Sequence, residues 1–151
     1  MATDVINRQR LAGVNPRRVE RVADATLGAL GRHDTNLSVA FVRDRVMREL
    51  NRKFRGSKRT TDVLSFAAEE KNQSTGDVNF FRAGDGHIGD IVISTDTALR
   101  QAREAGHTFA REVEELVIHG VLHLCGYDHE TDNGQMNKLE LKLRKKLLGQ
   151  T

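Results

Sequence analysis

The sequence predicts a single α+β domain in which a small, mixed four-stranded sheet is flanked by about five helices. Short runs rich in β-branched residues alternate with longer segments whose apolar residues recur every three or four positions, as on an amphipathic helix. The 151 residues suffice for one sizeable core, and they contain no internal repeat, low-complexity tract or interdomain linker. We therefore expect one domain over residues 1–151.

The first half of the chain predicts two strands and two helices. Asp4–Leu11 has some apolar spacing and is the first predicted strand. A helix follows from Pro16, which the first helical turn tolerates, to Gly31. Leu37–Arg43 is rich in strand-forming residues, and the apolar residues after it predict a second helix that ends near Gly56.

Two further strands enclose a polar segment. Asp62–Ala67 and Ile88–Ser94 are the third and fourth predicted strands. Glu69–His87 lies between them, is polar and contains three glycines, so it is predicted to be a loop or an irregular hairpin.

Three helices complete the chain. Thr95 or Asp96 is expected to cap a helix that runs to about Ala105. Thr108 is expected to cap the next, which runs to about Cys125. The last spans roughly Asn133–Leu148 and is amphipathic, with Leu139, Leu143 and Leu147 predicted on its inner side.

Three of the six histidines stand close together near the end of the predicted Thr108 helix. His119 and His123 are four residues apart, about 40° around a helix axis, so both project from one face. Gly126 can adopt the left-handed conformation that ends a helix and turns the chain back, bringing His129 to the same point. Three converging imidazoles with a fourth position for water are typical of catalytic zinc sites. The alternative is that these histidines are hydrogen-bonded polar groups at a helix end.

Three other side chains lie close to these histidines in the sequence. Glu112 and Glu115 share the face of His119 and could orient a ligand or transfer protons, but each could also be a solvated carboxylate. Cys125 lies about 200° around the helix from His123 and is predicted to be a small buried residue rather than a ligand.

The histidine spacing also occurs in zinc proteases of the metzincin type, whose second position is Glu. Here that position is Gly120. The protease Glu deprotonates the attacking water, so its absence argues against ordinary peptide hydrolysis. A metal at this site could still lower the pKa of a water molecule, which favours a hydrolase that is not a protease.

A basic segment provides the charge expected of a phosphate-binding site. Five of the eight residues from Arg52 to Arg59 are basic. Residues 1–60 hold 14 Lys and Arg against 6 Asp and Glu, although the net charge of the chain is only +3. A guanidinium donates two hydrogen bonds to one phosphate, so this segment favours a phosphodiester substrate. A basic surface loop without a ligand is the alternative reading.

Composition excludes some classes of protein. No apolar run approaches the roughly 20 residues of a membrane span, and the N-terminus lacks the apolar core of a signal peptide. A single cysteine allows no intramolecular disulfide, which favours a reducing cytosol. We therefore expect a cytoplasmic protein.

Three groups of residues resemble the motifs of a known family. They are Asn51-Arg-Lys-Phe54-Arg55 with Thr61-Asp62-Val63-Leu64-Ser65-Phe66, then Gly89-Asp90-Ile91, and finally His119-Gly-Val-Leu-His123-Leu-Cys-Gly126-Tyr127-Asp128-His129. In this order, from about Leu37 onwards, the chain resembles the YbeY family, bacterial endoribonucleases specific for single strands that act in ribosomal RNA maturation and ribosome quality control. The histidine motif with glycine in second place is highly specific to that family.

The resemblance implies roles for particular residues. His119, His123 and His129 would hold one Zn²⁺ per chain, and Arg55 would contact the substrate phosphate, so Arg55 and His119 are the predicted catalytic residues. The predicted substrate-binding residues are Arg52, Lys53, Arg55, Lys58 and Arg59. The carboxylates predicted to support the metal ligands are Glu112, Glu115 and Asp128. Asp62, Ser65 and Asp90 match family positions and are expected to shape the pocket floor.

The expected function is metal-dependent cleavage of single-stranded RNA. The partners that the resemblance implies are a ribosomal RNA precursor and the small ribosomal subunit, with no membrane and no DNA. A metallopeptidase-like hydrolase using Glu115 as base, and a ribosome-associated RNA-binding factor with a structural zinc, are the alternatives. Relative to the family pattern, the stretch between His129 and Met136 is about three residues shorter, and the segment Glu69–His87 is longer than in compact members.

Overall fold

A computed structural model describes residues 2–68, 86–128 and 132–149, and within these ranges the chain forms the predicted α+β arrangement. The strands are β1 (Ala2–Asn7), β2 (Asn36–Val42), β3 (Val63–Ala67) and β4 (His87–Ser94). The helices are α1 (Pro16–Ala29), α2 (Asp44–Arg55), α3 (Thr95–Ala105), α4 (Phe109–Leu124) and α5 (Gln135–Leu148).

The four strands form one mixed sheet in the order β1-β2-β4-β3. β1, β2 and β4 are parallel, whereas β3 is antiparallel to β4. The long connections β1–α1–β2 and β2–α2–β3–β4 are therefore crossovers, the arrangement that parallel neighbours require. β3 lies at one edge, where it borders the site described below.

Both faces of the sheet are covered by helices, because successive strand residues point to opposite sides. Phe41 and Ile91 face one core cluster, which α1, α4 and α5 cover and α3 borders. Ala40 and Val92 face the other, which α2 covers with Met47 and other apolar side chains. Burial on both faces explains why β2 is apolar throughout Val39–Val42 and β4 throughout Ile91–Ile93.

Local sequence signals fix several element ends as predicted. Pro16 is the first residue of α1, and the Thr108 side chain accepts a hydrogen bond from the Arg111 backbone N–H at the start of α4. Gly56 ends α2 with a φ of +70°.

Other boundaries differ from the predictions. The first strand covers Ala2–Asn7 rather than Asp4–Leu11, because its pairing with β2 ends where Asn7 meets Phe41. Ser94, not Thr95 or Asp96, caps α3, and α5 begins at Gln135 rather than Asn133. His87 belongs to β4, while residues 69–85 of the predicted loop lie outside the described part of the chain.

Among the helices of the described ranges, none has the length and apolar character that crossing a bilayer requires.

Candidate active site

Two glycines let α4 pack directly against the sheet. A Cβ at Gly120 would lie 2.8–3.0 Å from three side-chain atoms of Ile91 in β4. Gly89 has a φ of +155°, and a Cβ there would lie 2.3 Å from the Phe66 carbonyl and 2.6 Å from a Leu124 methyl group. Ser65 of β3 also donates a hydrogen bond to the Gly120 carbonyl at 3.3 Å. The resulting contact presents the histidine face of α4 to the edge strand β3.

His119 and His123 meet at their Nε2 atoms, which are 3.1 Å apart. Their rings lie edge to face, with centroids 4.7 Å apart. Two imidazoles bound to one tetrahedral zinc at about 2.0–2.1 Å would place their nitrogens roughly 3.3 Å apart. The two side chains therefore fit a shared divalent metal with little rearrangement.

Glu140 of α5 fixes the other side of the His119 ring. Its Oε1 lies 2.8 Å from His119 Nδ1, and Glu140 as a whole is 8% exposed. Burial raises the pKa of Glu140, but the hydrogen bond and charge of His119, together with Arg144, outweigh burial and hold the pKa below its ordinary value. The carboxylate is thus placed to accept a hydrogen bond from Nδ1 of His119.

The predicted third histidine cannot be placed. The chain turns after α4 with Gly126 at a φ of +96°, the left-handed conformation that the sequence predicts there. Asp128 follows on the surface and lines the cavity in front of the two histidines. His129 lies outside the described residues, so its convergence with the other two stays a prediction.

A cavity of about 550 Å³ opens in front of the histidines. Arg55 lines it together with His119, His123 and residues of β3 and the segment before it. The Arg55 guanidinium donates a hydrogen bond to the Ser65 carbonyl at 2.7 Å and lies 5.0 Å from the centre of the Phe66 ring. These contacts hold an exposed cation in the same cavity as the two imidazoles.

The other predicted basic residues surround the end of α2. Arg52 is paired with Glu49 at 2.7 Å, and the Lys53 ammonium lies 5.9 Å from the Phe54 ring. Lys58 and Arg59 are exposed on the turn that follows, which Asn51 holds by donating to the Arg59 carbonyl at 2.8 Å. Of these five cations, Arg55 is the one that lines the cavity.

Of the three polar residues that match family positions, two line the cavity and one does not. Asp62 and Ser65 line the cavity, as expected. Asp90 does not, because it precedes Ile91 in β4 and so points to the opposite face of the sheet. There it is fully buried, 3.0 Å from the Nε2 atom of His87.

Glu112 and Glu115 line a neighbouring cavity of about 340 Å³, which His119, Glu140 and Asp62 also border. Glu112 lies 2.6 Å from His107 Nε2, and Glu115 accepts from Arg111 at 2.8 Å. His107, Glu112 and Glu115 bring three potential ligand atoms within 4.8 Å of one another, a group of the type that can hold a metal. The carboxylate in hydrogen-bond contact with His119 is nevertheless Glu140, because α5 packs along this face of α4.

Sequence reasoning misses Glu140, Arg144 and His107, since their contacts depend on how separate elements pack. One signal was present. Glu140 stands between Met136 and Leu143 on the buried side of α5, and a charged residue within an apolar stripe indicates a buried partner.

Comparison with known proteins gives a consistent result. The profile of the family described as "Endoribonuclease YbeY" matches residues 4–148. An "Endoribonuclease YbeY" of Geobacter sulfurreducens is 40% identical over 145 residues, covering 95% of this chain and 92% of that protein. One of Moorella thermoacetica is 47% identical over 117 residues, covering 78% and 73%. The solution structure of TM1509 from Thermotoga maritima superimposes with a TM-score of 0.58 at 27% identity, covering 97% of this chain and 89% of that one.

Proposed function

The chain belongs to the YbeY family of endoribonucleases, and we propose that it is a zinc-dependent hydrolase that cuts single-stranded RNA during ribosomal RNA maturation and ribosome quality control. The observation that carries the proposal is one cavity with a pair of converging imidazoles, His119 and His123, and the Arg55 guanidinium. Residues 1–151 would act as one metallohydrolase domain.

His119, His123 and His129 are the proposed zinc ligands. The 3.1 Å separation of the first two Nε2 atoms and the Glu140 carboxylate behind His119 support this assignment. A zinc ion held by these residues would supply Lewis acidity for the hydrolysis of a phosphodiester. Imidazole sites accept several divalent metals, so zinc is the specific part of the proposal.

Arg55 is the proposed phosphate-binding residue. Its contacts with the Ser65 carbonyl and the Phe66 ring orient the guanidinium while leaving it exposed to a ligand. A fixed guanidinium can bind the phosphate oxygens and stabilise the negative charge that develops on them in the transition state. Arg52, Lys53, Lys58 and Arg59 would hold the flanking phosphates of the strand.

Single-stranded RNA is the substrate that this arrangement suits best. The cavity adjoins a cluster of exposed cations, which a flexible sugar-phosphate strand can follow closely, whereas a rigid duplex cannot bend one strand into it. The proposed substrate is a ribosomal RNA precursor, and the proposed partner is the small ribosomal subunit. The proposed location is the cytoplasm. Membranes and DNA have no part in it.

The test is a cleavage assay on single-stranded RNA, duplex RNA and casein, with and without a chelator. We expect chelator-sensitive cleavage of single-stranded RNA alone, and about one zinc per chain in protein purified without added metal. His123→Ala should lose both the zinc and the cleavage. His33→Ala, which alters an exposed histidine between α1 and β2, is the matched control and should keep both.

Two results would overturn the proposal. Unchanged metal content in His123→Ala would remove the metal assignment. Chelator-sensitive digestion of casein with intact single-stranded RNA would replace the nuclease by the metallopeptidase-like alternative.

A further inference from the structure

Helix α5 contributes a buried carboxylate to the back of the histidine pair. Glu140 Oε1 lies 2.8 Å from His119 Nδ1, while His119 Nε2 lies 3.1 Å from His123 Nε2. The two nitrogens of one imidazole thus face different partners, a carboxylate behind the ring and the second imidazole in front. Arg144 donates to the second oxygen of Glu140, so the carboxylate is placed as an acceptor on both sides, and His119 Nδ1 is the donor of the 2.8 Å contact.

This contact determines the tautomer of His119. With the proton on Nδ1, the neutral ring has its lone pair on Nε2, directed at the point where the two histidines meet. The opposite tautomer would place a proton at that point and block a metal there. Glu140 therefore selects the form of His119 that is able to bind a cation.

The Glu140 carboxylate is itself held by a series of alternating charges between α4 and α5. Arg144 donates to the second oxygen of Glu140 and also lies 3.3 Å from Glu115. Glu115 accepts from Arg111 at 2.8 Å, and Arg111 donates to the Leu148 and Gly149 carbonyls at the end of α5. This charge ladder anchors α5 on α4 along most of its length.

We propose that Glu140 is a positioning residue for the histidine site, and that α5, through the charge ladder, sets the orientation and tautomer of His119. The inference rests on the proposed metal-dependent function. It goes further in assigning to the C-terminal helix a role in the affinity of the site for metal, in addition to its role in the core.

The first test measures zinc affinity of the metal-free full-length chain by competition with a chelator. Loss of a carboxylate that orients a metal-binding histidine weakens metal binding by about 10–100-fold, and we expect a change of that size in Glu140→Gln. Glu114→Gln is the matched control, because Glu114 is an ion-paired carboxylate of α4 that contacts Arg18 of α1, outside the charge ladder and the histidine site. It should change zinc affinity less than about 2-fold, although it too loses one ion-paired carboxylate of similar exposure.

The second test needs no metal and no activity. The ¹⁵N chemical shifts of His119 in the metal-free protein report which ring nitrogen carries the proton. We expect the Nδ1–H tautomer in the wild type and in Glu114→Gln, and loss of that preference in Glu140→Gln. Glu140→Asp, with the carboxylate one methylene shorter, provides a second folded variant and should show an intermediate affinity.

The outcomes separate this inference from the proposed function. Wild-type protein that binds no zinc would refute the proposed function, while the tautomer measurement would still decide the role of Glu140. Folded Glu140→Gln with unchanged zinc affinity and an unchanged His119 tautomer would overturn the positioning role. Equal losses of affinity in Glu140→Gln and Glu114→Gln would overturn it as well, because they would show that the loss of any ion-paired carboxylate of this domain weakens zinc binding.

Discussion

Gly120 distinguishes this histidine motif from that of the zinc proteases. The zinc proteases with similar histidine spacing carry their base at this position. Here α4 lies so close to β4 that a Cβ at position 120 would meet Ile91 at 2.8–3.0 Å. A glutamate side chain would not fit between the helix and the strand at this position. The packing of the helix thus supplies a structural reason for the missing carboxylate.

Substitution of Gly120 should therefore destabilise the protein. Gly120→Ala gains about 1 kcal/mol of helix propensity. It also crowds Ile91 at a cost of about 1–3 kcal/mol. The expected net loss is about 1 kcal/mol of unfolding free energy, measured by urea denaturation. Gly120→Glu should lose about 4 kcal/mol or more, because it buries an unpaired carboxylate.

A double-mutant cycle checks the cause of the Gly120→Ala effect. If crowding is responsible, Ile91→Ala combined with Gly120→Ala should be more stable than the two separate losses predict. Strict additivity would show that the two side chains do not collide. A stable Gly120→Glu variant that digests casein would contradict the packing argument entirely.

A second prediction for a single residue concerns Arg55. Arg55→Ala should lower the rate of single-stranded RNA cleavage by about 10²–10³-fold, the loss of about 3–4 kcal/mol of transition-state stabilisation. Zinc content should not change, since Arg55 is not among the proposed ligands. Arg103→Ala, an exposed arginine on α3, is the control for the loss of one positive charge. Equal rates in Arg55→Ala and Arg103→Ala would refute the phosphate-binding role.

At the scale of elements, Asp44 joins the starts of two helices to the segment before β3. As the first residue of α2, it accepts hydrogen bonds from Ser94, Thr97 at 2.7 Å and Thr60 at 3.1 Å, and from Arg100 at 3.0 Å. Burial raises the pKa of Asp44, but these hydrogen bonds outweigh it and lower the pKa to about 2. The parallel strands β2 and β4 both end here, so one carboxylate ties their following helices together.

This pKa gives a prediction for acid stability. Because the folded-state pKa lies below the ordinary 3.8, the contribution of Asp44 is present above about pH 4 and is lost as the pH falls towards 2. Asp44→Asn should lower the free energy of unfolding at neutral pH by about 1–2 kcal/mol and flatten its decrease between pH 4 and 2. Thermal unfolding across pH 2–7 measures both effects. Asp34→Asn, which alters an exposed carboxylate, is the control, and the same flattening there would contradict the assignment.

The elements also show what the sequence can and cannot predict. Several helix ends are predictable, because the residues that mark them affect only the backbone a few positions away. These residues are Pro16, Gly56, Thr108 and Gly126. The ends of β1 depend on its pairing with β2, which no local pattern encodes. Glu140 is 21 residues from His119, and their contact follows from the packing of α5 on α4. The closeness of His119 and His123 was therefore predictable from their spacing, but the Glu140 carboxylate that contacts His119 was not.

On the scale of the whole molecule, charge is distributed unevenly around the cavity. The excess of Lys and Arg lies in residues 1–60, and its cluster at the end of α2 adjoins the cavity of Arg55 and the histidines. The last turn of α5 is also basic, with Lys145 and Lys146, but neither lines that cavity. Removing two positive charges from one region or from the other therefore tests whether RNA binding depends on where the charges lie or only on how many there are.

RNA binding should weaken steeply with salt, and the slope should depend on the cations near Arg55. Each phosphate of a single strand that the protein neutralises releases about 0.7 of a counterion. The variant Lys58→Gln/Arg59→Gln should therefore reduce the slope of log K against log[salt] by up to about 1.4. Titration of labelled single-stranded RNA in a chelator, between about 50 and 200 mM salt, measures this slope without cleavage.

Lys145→Gln/Lys146→Gln removes the same charge from α5 and should leave the slope unchanged. Equal reductions in the two variants would mean that net charge, rather than the strand's path past α2, governs RNA binding.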